Sequence, residues 1–276
     1  MRELRHTDLT GNHLRQTNEI HLISNESEVS LKRISLIIPV YREEKILSDT
    51  LNKFPYDLLK KYNIELIISD GGSKDRTVEI AKNYTQNVIE YHGNARQTIS
   101  AGRNEGARIS KGDILVFING DSYPENCEDF FNLVNDWSEG KGNYKDCVAL
   151  TCWITIHPKE MMLKDKIFYA IHNRYIIFLN LIRLGMGRGE CQIVKKDYFN
   201  QVGGYDENLA AGEDFDLFKR LSKIGKIGFV KNIRVYESPR RFRKYGYLKV
   251  ILQWLINSVS VIIYRKSVSE EWDPVR

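Results

Sequence analysis

The sequence predicts an α/β fold with a mostly parallel central sheet flanked by helices, and three observations carry that prediction. Short runs rich in isoleucine and valine, each closing in turn residues, recur at "RISLIIPV", "IELIISDGGS", "NVIEYHG" and "DILVFING". Between them lie segments whose apolar residues fall at helical spacing, and strands separated by such helices pair in parallel under cover on both faces. The chain has 276 residues, 42% of them hydrophobic, enough to fill a core of that kind.

The organised pattern begins at Arg33. "RISLIIPV" is a short run rich in β-branched residues, as expected of a strand buried on both faces, and Pro39 ends it. "EEKILSDTLNKF" sets Ile46, Leu47, Thr50, Leu51 and Phe54 on one helical face, and "IELIISDGGS" is a second buried strand closing in glycines. "DRTVEIAKNY" repeats the helical spacing. After the short strand "NVIEYHG", "ARQTISAGRNEGARISKG" reads as a helix closed by Gly112, and "DILVFING" as the next strand.

Further on, "DKIFYAIHNRYIIFLNLIRL" reads as a long apolar helix followed by the glycine-rich "GMGRGE". "QIVKKDYFNQVGG" then gives a strand, a short helix and a Gly-Gly turn. A helix beginning near Ala211 turns Phe215, Leu217, Phe218 and Leu221 to a core, with Glu213, Asp214 and Asp216 in its first turn. The helix dipole favours acids there by roughly 0.3 to 1 kcal/mol each, so capping alone accounts for part of that cluster. "YLKVILQWLINSVSVIIY" would span about 27 Å as a helix, close to a bilayer core. Lys249, Gln253, Asn257 and Ser260 nevertheless form one narrow polar stripe along it, which makes it amphipathic.

The net charge is +5 with both signs mixed, and basic residues are not interleaved with aromatics over a broad surface, which excludes a general nucleic-acid binder. The excess is local: Lys231, Arg234, Arg240, Arg241, Arg243, Lys244 and Lys249 stand against one acid, Glu237. Cys127, Cys147, Cys152 and Cys191 form no C-x-x-C pair and no zinc spacing, and no apolar signal segment is seen, so a cytoplasmic, reducing setting is expected.

Ligands of such sheets bind where strands end at the carboxyl edge. Tyr41 and Glu43 follow the first strand, Asp70 ends the second, and Asn119, Gly120 and Asp121 follow the later one. Turn chemistry explains any one of these acids. Three strand ends presenting carboxylates to one edge point instead to a site.

Four motifs then resemble one family, the nucleotide-sugar-dependent, usually inverting glycosyltransferases of family 2. "IIPVYREE" is similar to its opening strand and "SDGGSKDRT" to its D-D/G-G-S-x-D-x-T segment. "AGRNEGARISKGDILVFINGD" resembles the stretch leading into D-x-D, and "VGGYDENLAAGEDFDLFKRL" resembles the G-G-F/Y-D-E…E-D-x-D-L block. The resemblance implies the GT-A fold over residues 31–245, with a nucleotide-binding half at 31–123 and an acceptor-binding half at 124–245. Residues 1–30, polar and without a sustained period, are expected to be a loosely ordered extension, and 246–276 an amphipathic helix and tail.

The resemblance also assigns roles. Asp121 stands at the final Asp of D-x-D and is expected to ligate manganese or magnesium, hard cations satisfied by a carboxylate, phosphate oxygens and water. Asn119 replaces the more common first Asp, and an amide holds such a cation less strongly. Asp214 falls on the general base, with Glu213 supporting it or meeting the acceptor. Pro39, Tyr41 and Glu43 are implied around base and ribose, Asp70 at the nucleobase edge, and Arg96, Arg103, Arg240 and Arg241 at the diphosphate, the first two having a solvated helix face as the alternative.

The expected function is therefore transfer of a sugar from a UDP- or GDP-sugar to an acceptor hydroxyl or lipid phosphate, in polysaccharide or glycolipid synthesis. A non-catalytic sugar-nucleotide-binding or membrane-associated scaffold is the alternative, motivated by Asn119. A nucleotidyltransferase would open with a glycine-rich loop, which "PVYREEK" is not. The acceptor is not legible, a lipid-linked one and a soluble sugar both standing open. Residues 247–264 fit contact with the cytoplasmic membrane face, packing on the domain, or a second subunit.

Overall fold

The computed structural model describes residues 33–264, 266–268 and 275. The extension expected over residues 1–30 lies outside the described residues. Aliphatic runs form β1 (Ile34–Val40) and β2 (Ile64–Asp70), buried almost throughout because helices cover both faces. Between them the segment read as one helix is shorter, α1 (Leu47–Leu51), and a second helix, α2 (Tyr56–Lys61), follows. Pro55 makes the break, since its ring disfavours helical backbone at Phe54.

The chain continues through α3 (Thr77–Lys82), β3 (Val88–Glu90), α4 (Ile99–Ile109) and β4 (Ile114–Ile118). Thr98 caps α4 by accepting from the Ala101 amide at 3.2 Å. The helix ends at Ser110, in extended backbone, and not at Gly112 as expected. Gly112 instead lets β1 approach: a Cβ there would lie 2.5 Å from Ser35 Oγ.

The second half comprises β5 (Ser122–Pro124), α5 (Cys127–Ser138), β6 (Cys147–Ile156) and α6 (Leu163–Leu181). Then come β7 (Cys191–Lys195), α7 (Lys196–Gln201), α8 (Glu213–Ile224), β8 (Lys226–Glu237), α9 (Arg240–Tyr245) and α10 (Tyr247–Tyr264). The stretch carrying Arg240 and Arg241 is the short helix α9.

One sheet runs in the order β3-β2-β1-β4-β7-β6-β8-β5. The first-half strands are parallel as expected, whereas β7 pairs antiparallel with β4 and β6, and β5 antiparallel with β8. Alternation sorts the core: Leu36 and Ile38 face one layer, and Ile37 faces the other with Phe117, Phe199 and Phe218.

Three register facts position the site. Pairing of β1 with β2 continues to Val40 and Asp70, but pairing with β4 stops at Ile37 and Phe117, so β1 and β4 part beyond that point. Cys191 lies opposite Ile118, which returns the Arg188–Glu190 loop to the carboxyl edge of β4. Glu237 lies opposite Ser122, beside Asp121.

Candidate active site

The crevice between the parted ends of β1 and β4 is the switch point of the sheet, where strand order turns back on itself. Pro39, Tyr41, Glu43 and Arg96 line one side; Asn119, Gly120, Asp121 and Arg241 line the other. Gly120 is needed for that approach, as a Cβ there would meet Val40 Cγ1 at 3.0 Å. The Arg96 guanidinium stacks over the Tyr41 ring, 4.5 Å from its centroid.

Asp70 stands just behind the wall formed by its neighbours Ser69 and Gly71. Its Oδ2 accepts from the Gly72 and Ser73 amides at 3.0 and 2.9 Å, and its buried Oδ1 accepts from no group among the described residues. That oxygen suits the ring N–H of a nucleobase. The rest of "SDGGSKDRT" is structural: Ser73 Oγ accepts from the Arg42 amide and Thr77 Oγ1 from the Glu43 amide, each at 2.8 Å. These two bonds tie the loop after β1 to the loop after β2.

Asp121 is bound to a guanidinium. Arg240 Nη2 lies 3.0 Å from Asp121 Oδ2 and 3.2 Å from Glu43 Oε2, so one arginine spans the crevice mouth. The crevice has a volume of about 150 Å³, less than the roughly 300 to 1,000 Å³ of ordinary small-molecule sites. Among the described residues no group of three or more His, Cys, Asp or Glu side chains is placed to hold a metal. The donor chemistry at Asp121 fits a hard cation only if phosphate oxygens and water complete its shell.

Arg103, expected at the diphosphate with a solvated helix face as the alternative, does not lie on a solvated face. It is fully buried, donating to Glu213 Oε1 at 2.8 Å, and to Asn119 Oδ1 and the Gly189 carbonyl at 2.9 Å each. Asn119 is thereby fixed as a hydrogen-bond partner of the arginine. A buried ion pair missing one partner typically costs 3 to 5 kcal/mol, so Arg103 and Glu213 stand or fall together.

Asp214 opens α8 beside them. Its Oδ2 accepts from the Gly189 amide at 3.0 Å and its Oδ1 from the Phe215 amide at 2.8 Å. Burial, then the charges of Glu213 and Glu190, push its pKa up to about 7 against the pull of Arg103. Gly189 thus serves both groups, its carbonyl holding Arg103 and its N–H holding Asp214. Even a methyl would crowd it, with Arg103 Nη2 3.0 Å from the position of a Cβ.

A second arginine organises the far wall. Arg188 is buried, grips Glu190 with two hydrogen bonds of 2.9 Å and reaches Glu237 at 2.7 Å. The Tyr169 hydroxyl also donates to Glu237, at 2.7 Å. Glu190 and Glu237 both line the crevice. Burial opposes ionisation of Glu190, yet the Arg188 charge outweighs it and keeps the pKa below the usual carboxylate value. Glu237 goes the other way, raised by burial and then by Glu190 and Asp121 despite Arg188. Burial and Arg188 together hold His172 down to about 3, so it is neutral.

Comparison with known proteins decides what this crevice belongs to. The family model "Glycosyl transferase family 2" matches residues 35–203. The chain belongs to glycosyl transferase family 2. An uncharacterized glycosyltransferase of Rickettsia felis is 27% identical over 210 residues, which cover 73% of this chain and 33% of that protein. The chain thus spans about a third of the length of the first Rickettsia relatives it matches. A dolichyl N-acetyl-α-D-glucosaminyl phosphate 3-β-D-2,3-diacetamido-2,3-dideoxy-β-D-glucuronosyltransferase of Methanococcus voltae is 32% identical over 243 residues, 82% of this chain and 71% of that one. Among solved structures, a mannosyltransferase from Pyrobaculum calidifontis in complex with GDP-Man and Mn2+ superposes with a TM-score of 0.64 at 15% identity, covering 85% of this chain and 65% of the other. That likeness is one of fold, and the fold is GT-A as the family 2 motifs implied.

Within this family 2 domain, sequence reasoning missed Arg188, Glu190 and Glu237. Their signal was present but uninterpretable: "GMGRGE" is turn-rich and "YESPRR" is a basic run containing one acid. Only the antiparallel return of β7 and the pairing of β5 with β8 bring them to the crevice.

Proposed function

We propose that this domain transfers a sugar from a UDP- or GDP-sugar to an acceptor hydroxyl or lipid phosphate, with inversion in a single in-line displacement. One observation carries the proposal: a carboxylate at a helix start, Asp214, is held by two backbone N–H groups with its pKa near 7, beside a crevice at the sheet switch point. A general base is most effective when its pKa matches the working pH, because it is then both largely ionised and basic enough to take the acceptor proton.

The chain's own groups divide the work. Asp70 Oδ1 receives a nucleobase N–H, Tyr41 and Arg96 bound the nucleoside, and Glu43 faces the ribose. Asp121 would hold manganese or magnesium, whose charge would offset that developing on the departing nucleoside diphosphate. Arg240, displaced from Asp121, and Arg241 contact phosphate, a pairing that guanidinium geometry favours. Glu213 and Arg103 hold Asn119, Gly189 and through them Asp214, which removes the acceptor proton as its oxygen attacks the anomeric carbon. The Methanococcus relative is named for a dolichyl phosphate glycoside, which supports a lipid-linked acceptor over a soluble one.

Incubation of the purified protein with UDP- and GDP-sugars and manganese should release sugar slowly even without acceptor. If no donor in such a panel is bound or hydrolysed, the proposal fails.

A further inference from the structure

The C-terminal half of the polar stripe of α10 faces the protein, while Lys249 stays exposed. Asn257 and Ser260 are buried, holding the chain that follows: Asn257 Oδ1 accepts from the Val268 amide at 3.0 Å and Ser260 Oγ donates to the Lys266 carbonyl at 2.7 Å. Val250 and Val261 are buried beside them, Val261 against Leu209 and Phe215 near the start of α8. The outer face is therefore apolar. Leu248, Leu252, Leu255, Ile256 and Val259 are about half to nearly three-quarters exposed, and at 3.6 residues per turn they fall within one third of the circumference.

A second helix shows the same inversion. On α6, Leu163, Ile167, Ile171, Tyr175, Phe178 and Leu181 recur at steps of four, four, four, three and three, each between 48% and 76% exposed. The two helices adjoin through aromatic side chains: Trp254 of α10 lies 5.5 Å from His172 and 6.2 Å from Phe168 of α6, centroid to centroid. Single exposed apolar residues are ordinary on any surface; two adjoining helices with apolar outer stripes are not. Among the described residues no helix is long and apolar enough to cross a membrane.

Charge selects the occupant. Every exposed charged residue on the two helices is basic: Lys164, Lys166, Arg174 and Lys249. The one acid in either, Asp165, is fully buried and taken by Arg243 and Tyr247. A second copy seated face to face would set basic side chains against basic ones. A leaflet containing anionic phospholipid offers acyl chains to the apolar stripes and negative headgroups to the rim.

We propose that the outer faces of α6 and α10 form a docking surface for an anionic phospholipid membrane, the helices lying in its interface. Trp254, on the inner side of α10, lines the donor crevice, so docking sets that crevice about one helix diameter, roughly 10 Å, from the headgroups. This inference is independent of the catalytic reading, since lipid binding requires no turnover.

Co-sedimentation of the full chain with phosphatidylcholine vesicles, with and without phosphatidylglycerol, tests it. Binding is expected only with phosphatidylglycerol, falling as salt rises. Leu252→Glu on α10 and Ile171→Glu on α6 should each weaken it at least about tenfold, and Lys164→Glu with Lys249→Glu by a similar factor. All four positions are exposed, and circular dichroism should be unchanged. Failure of the wild type to sediment, equal sedimentation by the glutamate variants, or a solution dimer that those variants dissociate would overturn the proposal.

Discussion

Replacing Asp214 by asparagine should trade activity for stability, and the sign follows from the raised pKa. A carboxyl whose pKa moves from 3.8 unfolded to about 7 folded binds more protons in the folded state throughout that window. Its ionisation therefore destabilises the fold as pH rises from about 4 to about 7, by as much as about 4 kcal/mol in total. Between about pH 5 and about pH 8 the wild type should lose about 2.5 kcal/mol from this group alone, whereas an amide titrates nowhere in that range. Asparagine keeps one acceptor oxygen for the Gly189 and Phe215 amides in place of two, so at high pH part of the gain, about 1.5 to 3 kcal/mol, is returned.

Urea unfolding of both proteins at the two pH values measures the difference in slope, and initial rates of donor turnover measure the loss, expected at roughly 10² to 10⁴-fold. Wild-type kcat/KM should fall about tenfold per pH unit below about pH 7, as the base is protonated. Parallel stability curves for the two proteins would refute the burial argument. A variant retaining full rate would refute the assignment of the base.

Two further outcomes follow from neighbouring contacts. Gly189→Ala places a methyl 3.0 Å from Arg103 Nη2 and 3.6 Å from Asp214 Oδ2; small displacements of a reacting group are costly, so kcat should drop on the order of tenfold to a hundredfold with donor KM little changed. Arg240→Gln frees Asp121 and Glu43 from their shared guanidinium. Calorimetry should then find manganese bound more tightly by the protein alone, and nucleoside diphosphate bound more weakly, by about tenfold or more.

How much of this was legible in the sequence depended on which physical rule governed each part. β1, β2 and β4 are short, predominantly aliphatic runs because both their faces are covered. β6 and β8 went unread: Lys231 and Asn232 interrupt β8 where its register against β6 jumps from Val230–Cys152 to Arg234–Trp153, and a bulge erases the periodicity that identifies a strand. The strand-end acids Asp70 and Asp121 were legible because sheet geometry alone sends them to one edge. Gly189 was not, since its two hydrogen bonds join residues far apart in sequence. For α10 the stripe of Lys249, Gln253, Asn257 and Ser260 gave the amphipathic period without saying which side faces the protein, and two of those four are buried.

Calorimetric titration of the wild-type protein with UDP and with GDP, each with and without manganese, tests most directly whether this crevice is a sugar-nucleotide site. One of the two nucleotides should bind, at least about tenfold more tightly with the metal, and Asp121→Ala should abolish the difference. Equal binding with and without manganese, or no binding of either nucleotide, would contradict it.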